Sequence, residues 1–446
     1  MFGDQEAKRI IESVLAYSTG DQTEVVLYSS DAALTRFANG YIHQNVAESN
    51  VQLSVRVVLG KRIGIATVNA AHNDAIKRTV DVATEIARCR EPDEHFISLP
   101  GPTTYQPVDS FAVRTAEFTP EERASAVAVI CRKAAESQLI ASGAFETSTS
   151  ELAIGNSEGV FAFQTDTLAN VNTVIMSDTS SGYADRYAVD VDQIDVEAVA
   201  AEAIDKALRS RNPTRLDPGT YEVILEEYAV SDILDFIAFL GLSAKAVEEE
   251  RSFMNGNFGR RIVGEGINIW DDAMDPRGIP VAFDFEGVAK QRVDFFINGV
   301  ANAVCYDSYT AGKEKNKTST GHALPAGDTY GPLPGNMFLG PGTSTKEEML
   351  ASTKRGIWVS RFHYTRDVHP TKVVVTGMTR DGTFLIENGE ITRPVNNFRF
   401  TQGYLEALNN VLAIGKETKI QRELYPFNRV PALKIAAWNF TGVTEY

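Results

Sequence analysis

The first ninety residues change from a helical to a strand-like spacing of apolar positions and back again. Residues 4–18 carry Ile, Val and Leu at helical spacing, and Gly20 follows as a stop signal. The next stretch alternates in short runs, which predict strands near 23–29, 32–37, 40–46, 51–59 and 61–68. Asn39-Gly40 between two runs is typical of a tight hairpin, so we expect an antiparallel meander. Helical spacing returns over residues 72–90.

A second unit with the same order of elements follows a Pro-rich connector at residues 99–107. Thr119 is a predicted N-cap, and Pro120 takes the first position of a helix that runs to about Gln138. Strands are predicted near 143–149, 151–155, 159–165 and 168–177, and an Ala-rich helix at 193–210. The repeated order fits an internal duplication, but it also fits two unrelated units of similar composition.

The remaining half of the chain has a different pattern. After the linker at 211–213 come a buried-type strand at 221–225, a long helix at 229–247 and many short strands separated by Gly and Pro. A helix near 402–414 closes the regular part. The pattern predicts an α+β fold: antiparallel sheets with segregated helices, in two N-terminal helix/meander units and a β-rich C-terminal domain. The predicted domains are 1–98, 99–212 and 213–446.

Composition narrows the class of protein. With 43% hydrophobic and 23% charged residues, and no run of about 20 apolar residues, the sequence is typical of a globular protein without a membrane span. No basic stretch followed by an apolar core opens the chain, so we expect a cytoplasmic protein. The net charge of -16 argues against direct binding of nucleic acid. Three widely spaced cysteines predict neither a disulfide framework nor a structural zinc site.

Seven short segments match, in order, segments of one known family. They are 36–44, 284–288, 299–300 leading to 309–311, 320–323, 336–340, 355–359 and 385–391. Each segment is unspecific by itself, but together they extend over almost the whole chain. On these segments the sequence resembles the TldD/PmbA family (PmbA is also called TldE), the so-called modulators of DNA gyrase. The resemblance implies a two-subunit peptidase that trims unfolded peptides.

The resemblance also implies where a zinc site should lie. Active subunits of the family carry His-Glu-x-x-x-His at the start of a helix that follows a buried strand, and a distant cysteine is the third ligand. Here the same context occupies residues 223–232. This register places Glu227 and Asp232 at the two histidines and Tyr228 at the catalytic glutamate. The cysteine position falls on the strand after Asn336, at Leu339.

These replacements do not suit a catalytic zinc ion. A zinc hydrolase needs three protein ligands, an open position for water and a base. Tyrosine, with an ordinary pKa near 10, is a poor base at neutral pH. Carboxylates suit magnesium or calcium better than zinc. We therefore predict no catalytic residue, no metal and no cofactor in this chain, with zinc expected only in a partner.

The leading hypothesis is a non-catalytic subunit that completes the cavity of a zinc-bearing TldD-type peptidase subunit. The expected partner is such a subunit or a second copy of this chain. An unfolded peptide would add as a strand to a sheet edge, for which segments 334–340 and 356–362 are candidates. Residues expected near this groove are Asn336, Phe338, Tyr309, His322 and His363. Membranes and nucleic acid are not expected partners.

Two alternatives stay open at the level of sequence. One is a homodimeric peptide-binding or adaptor protein that has no catalytic partner. The other is an unorthodox metal-dependent hydrolase built on Glu227, Asp232 and His363. No two histidines of the chain have the spacing that would place both on one face of a helix.

Overall fold

The first half of the chain forms a single antiparallel sheet to which both N-terminal units contribute three strands. A computed structural model describes residues 1–424 and 426–444. In these residues the strands of the first sheet are β1 (Gln22–Ala38), β2 (Tyr41–Leu59), β3 (Arg62–Val68), β4 (Ile140–Asn156), β5 (Phe161–Met176) and β6 (Ser181–Ala188). Their order across the sheet is β3-β2-β1-β4-β5-β6. The units therefore meet where β1 pairs with β4.

Helices cover one face of this sheet in two groups. They are α1 (Asp4–Tyr17), α2 (Asn73–Cys89), α3 (Val113–Ala116), α4 (Pro120–Glu136) and α5 (Val196–Arg209). The apolar side chains of α1 and α2 form one core with β1 and β2, and those of α4 and α5 form another with β4, β5 and β6. Residues 90–112, between the units, contain no helix or strand.

Two glycines show that the units are built alike. A Cβ atom at Gly64 in β3 would overlap the carbonyl oxygen of Ala83 in α2. In the second unit, a Cβ atom at Gly182 in β6 would overlap the carbonyl oxygen of Ala203 in α5. Each outer strand thus approaches its helix so closely that only glycine fits. The same device at equivalent positions favours the interpretation that the two units arose by duplication.

Several predicted short strands are parts of longer ones. The predicted strands 23–29 and 32–37 both belong to β1, which pairs with β2 on one side and with β4 on the other. Polar residues at 29–31 interrupt the apolar alternation, but pairing with both neighbouring strands continues through them. In the same way 40–46 and 51–59 merge into β2. The Asn39-Gly40 hairpin is confirmed, with φ of 54° and 79° at its two residues.

The C-terminal half is a mixed sheet that closes into a barrel. Its strands are β7 (Gly219–Leu225), β8 (Ile269–Asp271), β9 (Val293–Ile297), β10 (Val300–Ala301), β11 (Asn336–Leu339), β12 (Arg355–His369), β13 (Val374–Glu387), β14 (Glu390–Pro394), β15 (Phe398–Gly403), β16 (Val411–Gln421) and β17 (Phe427–Val443). The run β17-β15-β13-β12-β7 returns to β17, because β7 also pairs with β17. Strands β11 and β16 attach to the outside of this ring through β17.

The helices of this half are α6 (Glu227–Gly241), α7 (Ala244–Glu248), α8 (Ser308–Gly312), α9 (Lys346–Ala351) and α10 (Tyr404–Asn409). The predicted helix 229–247 is split between α6 and α7, since the amide of Ala244 hydrogen-bonds the carbonyl of Cys305 at 2.9 Å. The predicted helix 402–414 is also wrong beyond Asn409, where β16 begins at Val411.

Helix α6 lies in the largest core, and nearly all of its side chains are buried. None of the helices in residues 1–424 and 426–444 combines the length and apolar character that a bilayer crossing requires. The α+β class is confirmed: antiparallel pairing dominates both sheets, and the helices are segregated from the strands.

Candidate functional site at the start of helix α6

The start of α6 is held by the strands of the barrel. Strand β7 lies between β12 and β17, and the chain passes from its last residue, Leu225, through Glu226 into the helix. The amide of Glu226 donates to the carbonyl of Val359 at 3.0 Å, and the indole of Trp358 donates to the Glu226 carboxylate at 2.6 Å. The position of Glu227 and Tyr228 is therefore fixed by β12.

Glu227 is paired with lysine. The ammonium group of Lys346 donates to its carboxylate at 2.8 Å, and that of Lys419 lies 3.9 Å away. The side chain is buried, but it borders a cavity of about 100 Å³ that Lys346 and Lys416 also line. In the position expected for the first zinc ligand, the negative charge is thus already neutralised by side chains of the same chain.

Tyr228 lies in the same charged cluster. Its hydroxyl donates to Glu202 at 2.9 Å and accepts from Arg186 at 3.2 Å. The ammonium group of Lys206 lies 4.6 Å from the centre of its ring. Burial and the negative charge of Glu202 raise the pKa of Tyr228 well above its ordinary value. The phenol therefore keeps its proton at neutral pH and cannot serve as a base.

Glu202 of α5 is the centre of this cluster. Its carboxylate contacts the guanidinium of Arg186 at 2.7 Å and the ammonium groups of Lys206 and Lys419 at 2.9 Å each. Burial opposes ionisation, but the three cations together hold the pKa of Glu202 well below its usual range. Lys206 continues the cluster to Glu226, 2.7 Å away. The network joins the second N-terminal unit to the barrel.

Asp232 belongs to a separate network one turn further along α6. It accepts hydrogen bonds from the hydroxyl of Thr365 at 2.7 Å and from the hydroxyl of Tyr404. Burial raises the pKa of Asp232 to about 7, although both hydrogen bonds oppose that shift. Glu227 and Asp232 have no hydrogen-bond partner in common among the described residues.

Asp235, on the next turn, forms an acid–amide pair. It accepts from the side-chain amide of Asn428 at 2.7 Å, and burial raises the pKa of Asp235 well above its ordinary value. The other oxygens of the two side chains, Asp235 Oδ2 and Asn428 Oδ1, are both buried without a partner in the described residues. Burial therefore favours the neutral form of Asp235, in which the carboxyl group is also able to donate a hydrogen bond.

Leu339 lies in the apolar core and is 1% exposed. The free cysteine nearest in sequence, Cys305, is buried, and burial raises the pKa of its thiol well above the ordinary value. No group of three or more His, Cys, Asp or Glu side chains in residues 1–424 and 426–444 is arranged to hold a metal ion. The donor set at Glu227, Asp232 and Leu339 does not fit zinc.

Three of the five residues predicted near a peptide groove are in the interior. His322, Asn336 and Phe338 are 1%, 4% and 2% exposed. Nε2 of His322 lies 3.0 Å from Asp271, whose other oxygen accepts the amide of Asn336 at 2.6 Å. Burial lowers the pKa of His322. These residues hold loops of the β8–β11 region together, and they share no hydrogen bond with α6.

The other two predicted residues are accessible. Tyr309 of α8 borders a cavity of about 270 Å³ between the first unit and the barrel half, together with Arg56, Glu286 and Lys313. His363 lies half-buried on β12, where burial and the neighbouring Arg380 lower its pKa. The structure does not bring Tyr309 or His363 into hydrogen-bonding contact with Glu227, Tyr228 or Asp232.

The predicted sheet edges are wrong for 336–339 and for 356–359, whereas Arg361 and Phe362 lie beyond the end of β7 and pair only with β13 among the described strands. Strand β11 pairs with β8 on one side and with β17 on the other, so 336–339 is an inner strand. Residues 356–359 of β12 are likewise enclosed by β7 and β13. Gly and Pro around these segments suggested edges, but here they mark the loops that enter and leave inner strands.

The cations around the site were missed by sequence reasoning. Arg186, Lys206, Lys346 and Lys419 come from four separate elements of two domains, and in sequence each looks like an ordinary surface charge. Lys206 alone carried a usable signal. It falls on the apolar stripe of a predicted helix, and a lysine in that position indicates a buried charge with a partner.

Comparison with known proteins gives a consistent result. Models of PmbA/TldA metallopeptidase domains match in order: domain 1 at residues 23–87, the central domain at 115–211 and the C-terminal domain at 218–442. An uncharacterised Methanocaldococcus jannaschii protein is 26% identical over 276 residues, or 61% of this chain and 63% of that protein. The metalloprotease PmbA of Escherichia coli O157:H7 is 23% identical over 442 residues, or 95% and 94% of the two chains. The crystal structure of TldE from Thermococcus kodakarensis superposes with a TM-score of 0.90 at 21% identity, covering 98% and 99% of the chains.

Proposed function

Because the chain belongs to the PmbA/TldD metallopeptidase family, we propose that it is a non-catalytic subunit that works beside a zinc-bearing TldD-type subunit. In this role it supplies part of the wall of a shared cavity, and the partner supplies the metal and the base. The substrate would be an unfolded peptide, and the site of action the cytoplasm.

The observation that carries the proposal is the ion pair between Lys346 and Glu227. A zinc ligand must offer a free lone pair to the metal. The carboxylate of Glu227 is instead neutralised at 2.8 Å by an ammonium group. A divalent cation placed beside Lys346 and Lys419 would be repelled by both ammonium groups. The site therefore disfavours a metal ion through its charge, in addition to lacking zinc ligands.

Tyr228 and Asp232 support the same conclusion. The catalytic glutamate of an active subunit must accept a proton at neutral pH. Tyr228 holds its own proton and is bound to Glu202 and Arg186. Asp232 is occupied by two hydroxyl donors. The alternative of a hydrolase built on Glu227 and Asp232 therefore has no observation in its favour.

The test compares metal content and cleavage with and without a partner. The purified chain should contain only substoichiometric zinc and should not cleave unfolded casein. When a TldD-type subunit is added, cleavage should appear and should be abolished by a chelator. One tightly bound zinc per isolated chain, with chelator-sensitive cleavage, would overturn the proposal.

The variant Glu227→Gln distinguishes a residue that only lines the cavity from a residue that takes part in catalysis. In the reconstituted pair, Glu227→Gln should leave cleavage within about a factor of three, because a wall residue does not touch the reacting atoms. The matched change of the glutamate in the partner's zinc motif should abolish it. If both variants lose cleavage activity to the same extent, Glu227 of this chain takes part in the catalytic reaction.

A further inference from the structure

A cavity of about 270 Å³ beside α8, the α8 cavity, is separate from the cluster at Glu227. Its walls include residues 96–99, helix α7 and the loop 323–331, and Arg56 and Glu286 also line it. None of these residues borders the smaller cavity at Glu227. The volume lies slightly below the range of about 300–1,000 Å³ that is typical of pockets for drug-sized ligands. The α8 cavity therefore suits one or two amino-acid residues of a ligand.

Arg56 of β2 offers a hydrogen-bond donor to this cavity. Its side chain is 13% exposed, and its Nε and Nη2 donate to the carboxylate of Glu24 at 3.0 and 2.5 Å. The remaining amino group, Nη1, makes no hydrogen bond with a residue of 1–424 or 426–444, and it is not closed off from solvent. Because Arg56 lines the α8 cavity, Nη1 is free to bind a ligand there.

Glu286 offers a hydrogen-bond acceptor beside this donor. The residue is 6% exposed, and its Oε2 accepts the amide of Ser308 at 3.0 Å. Its Oε1 lies 3.6 Å from Nη2 of Arg56, which is longer than an ordinary hydrogen bond. Asp284 accepts the amides of Glu286 and Val288 at 3.0 and 2.9 Å, so this loop is held in place without a ligand. A buried carboxylate oxygen that faces a cavity without a donor is suited to a ligand that supplies one.

The charge of the α8 cavity is negative. Five carboxylates and three cations line it. Two of the cations are already bound: Lys313 to Glu248 at 2.8 Å, and Lys245 to the carbonyl of Thr329 at 2.5 Å. Asp307 accepts the amide of Thr310 through Oδ1, whereas its Oδ2 has no hydrogen-bond partner in the described part of the chain. Since Asp307 directly precedes Ser308, its carboxylate lies close to that of Glu286. Their combined field favours a positively charged group.

The side of the cavity formed by residues 96–99 is apolar. Phe96 and Leu99 are buried, but Ile97 is 72% exposed, which is the highest value for a large apolar side chain in residues 1–424 and 426–444. All three side chains line the α8 cavity. An apolar group of a ligand would remove Ile97 from water.

We propose that the α8 cavity binds the free amino terminus of a peptide whose first residue is apolar. The ammonium group lies between Glu286 and Asp307, the first carbonyl oxygen accepts from Nη1 of Arg56, and the first side chain packs on Ile97. A free amino acid fits less well, because its carboxylate is repelled by the surplus of acidic groups. The site belongs to the isolated chain and does not depend on the proposed role beside a zinc subunit.

Fluorescence polarisation of the isolated chain tests the proposal. The probe is a hexapeptide that begins with leucine, continues with glycine and serine, and carries a fluorophore at its carboxyl end. We expect saturable binding that leucinamide displaces, and a Kd raised tenfold or more when the amino group is acetylated, because the charge-assisted hydrogen bonds are lost. Absence of saturable binding, equal affinity for the acetylated probe, or stronger competition by leucine than by leucinamide overturns the proposal.

Two variants locate the binding site. Glu286→Gln keeps an acceptor for the Ser308 amide and removes the charge, so the Kd should rise about tenfold. Its control is Glu265→Gln, whose carboxylate is exposed outside the cavity and whose loss should leave the Kd unchanged.

Ile97→Ser decides the matter if Glu286→Gln does not fold, because Ile97 is exposed. It should weaken binding of the leucine probe about threefold and leave that of a probe beginning with glycine unchanged. Val113→Ser, at another exposed apolar residue, should change neither. If the leucine probe binds Ile97→Ser as it binds the wild type, the assigned site is wrong. The assay involves neither a partner nor cleavage, so this result would not bear on the proposed subunit role.

Discussion

Replacement of Asp232 by Asn should make the protein more resistant to unfolding at high pH relative to the wild type. Burial raises the pKa of Asp232 from its ordinary 3.8 to about 7. The folded state therefore binds this proton more tightly than the unfolded state. The stability that the neutral carboxyl group contributes is complete below about pH 4 and is lost as the pH rises through 7.

The magnitude follows from the size of the shift. About three pKa units at 1.36 kcal/mol each correspond to about 4 kcal/mol between the two extremes. Between pH 5 and pH 8 the expected change is about 2.5 kcal/mol, because part of the effect has already occurred at pH 5. The asparagine side chain of the variant cannot ionise, so the difference in unfolding free energy between variant and wild type should grow by this amount across that interval.

Urea unfolding at pH 5, 6, 7 and 8, followed by tryptophan fluorescence, measures the difference in unfolding free energy between Asp232→Asn and the wild type. Trp438 is a suitable probe, since it is buried and its ring lies 5.8 Å from that of Tyr404, the hydrogen-bond partner of Asp232. The same substitution at exposed Asp205 should give curves parallel to the wild type. If the Asp232→Asn curves are also parallel to the wild type at every pH, the carboxyl group is not held neutral by burial, and the reasoning is refuted.

Two further predictions concern the contacts between helices and sheets. Glu202→Gln removes the carboxylate that buried Lys206 shares with the half-buried Arg186 and Lys419, and it should lower the unfolding free energy by about 2 kcal/mol. Calorimetry checks this, and a change below about 0.5 kcal/mol would contradict the assigned network. Gly182→Ala places a Cβ atom against the backbone of Ala203 and should destabilise by about 1–3 kcal/mol. Gly101→Ala, which meets open space, is the matched control and should leave the melting temperature unchanged.

Local signals predicted the features that depend on neighbouring residues. The Asn39-Gly40 hairpin formed as expected, because both residues tolerate positive φ. Thr119 caps α4 through a reciprocal bond with Glu122. The family resemblance is confirmed by the three matching domain models. The hairpin and the helix cap depend on residues that lie within a few positions of one another. The family resemblance depends on the order of several short motifs.

Features that depend on distant residues could not be predicted in the same way. Closure of the barrel pairs Tyr221 with Trp438, more than two hundred residues later, and neither strand carries a mark of that partner. The ion cluster at Glu202 draws on elements of two domains. Whether a strand such as β12 lies at an edge or inside a sheet is likewise set by which strands arrive beside it.

Closure by β17 has a consequence for synthesis on the ribosome. Strand β17 pairs with β7, β11, β15 and β16, and it is the last of the described strands to be made. Helix α6 emerges about two hundred residues earlier, and its side chains are mostly apolar outside the row of Glu227, Ser231 and Asp235. Until β17 has been synthesised, the barrel is incomplete and the apolar side chains of α6 cannot be buried in its core. The nascent chain therefore spends most of the translation of its second half with an unburied hydrophobic helix, and its folding yield should depend on holdase chaperones far more than that of the N-terminal sheet.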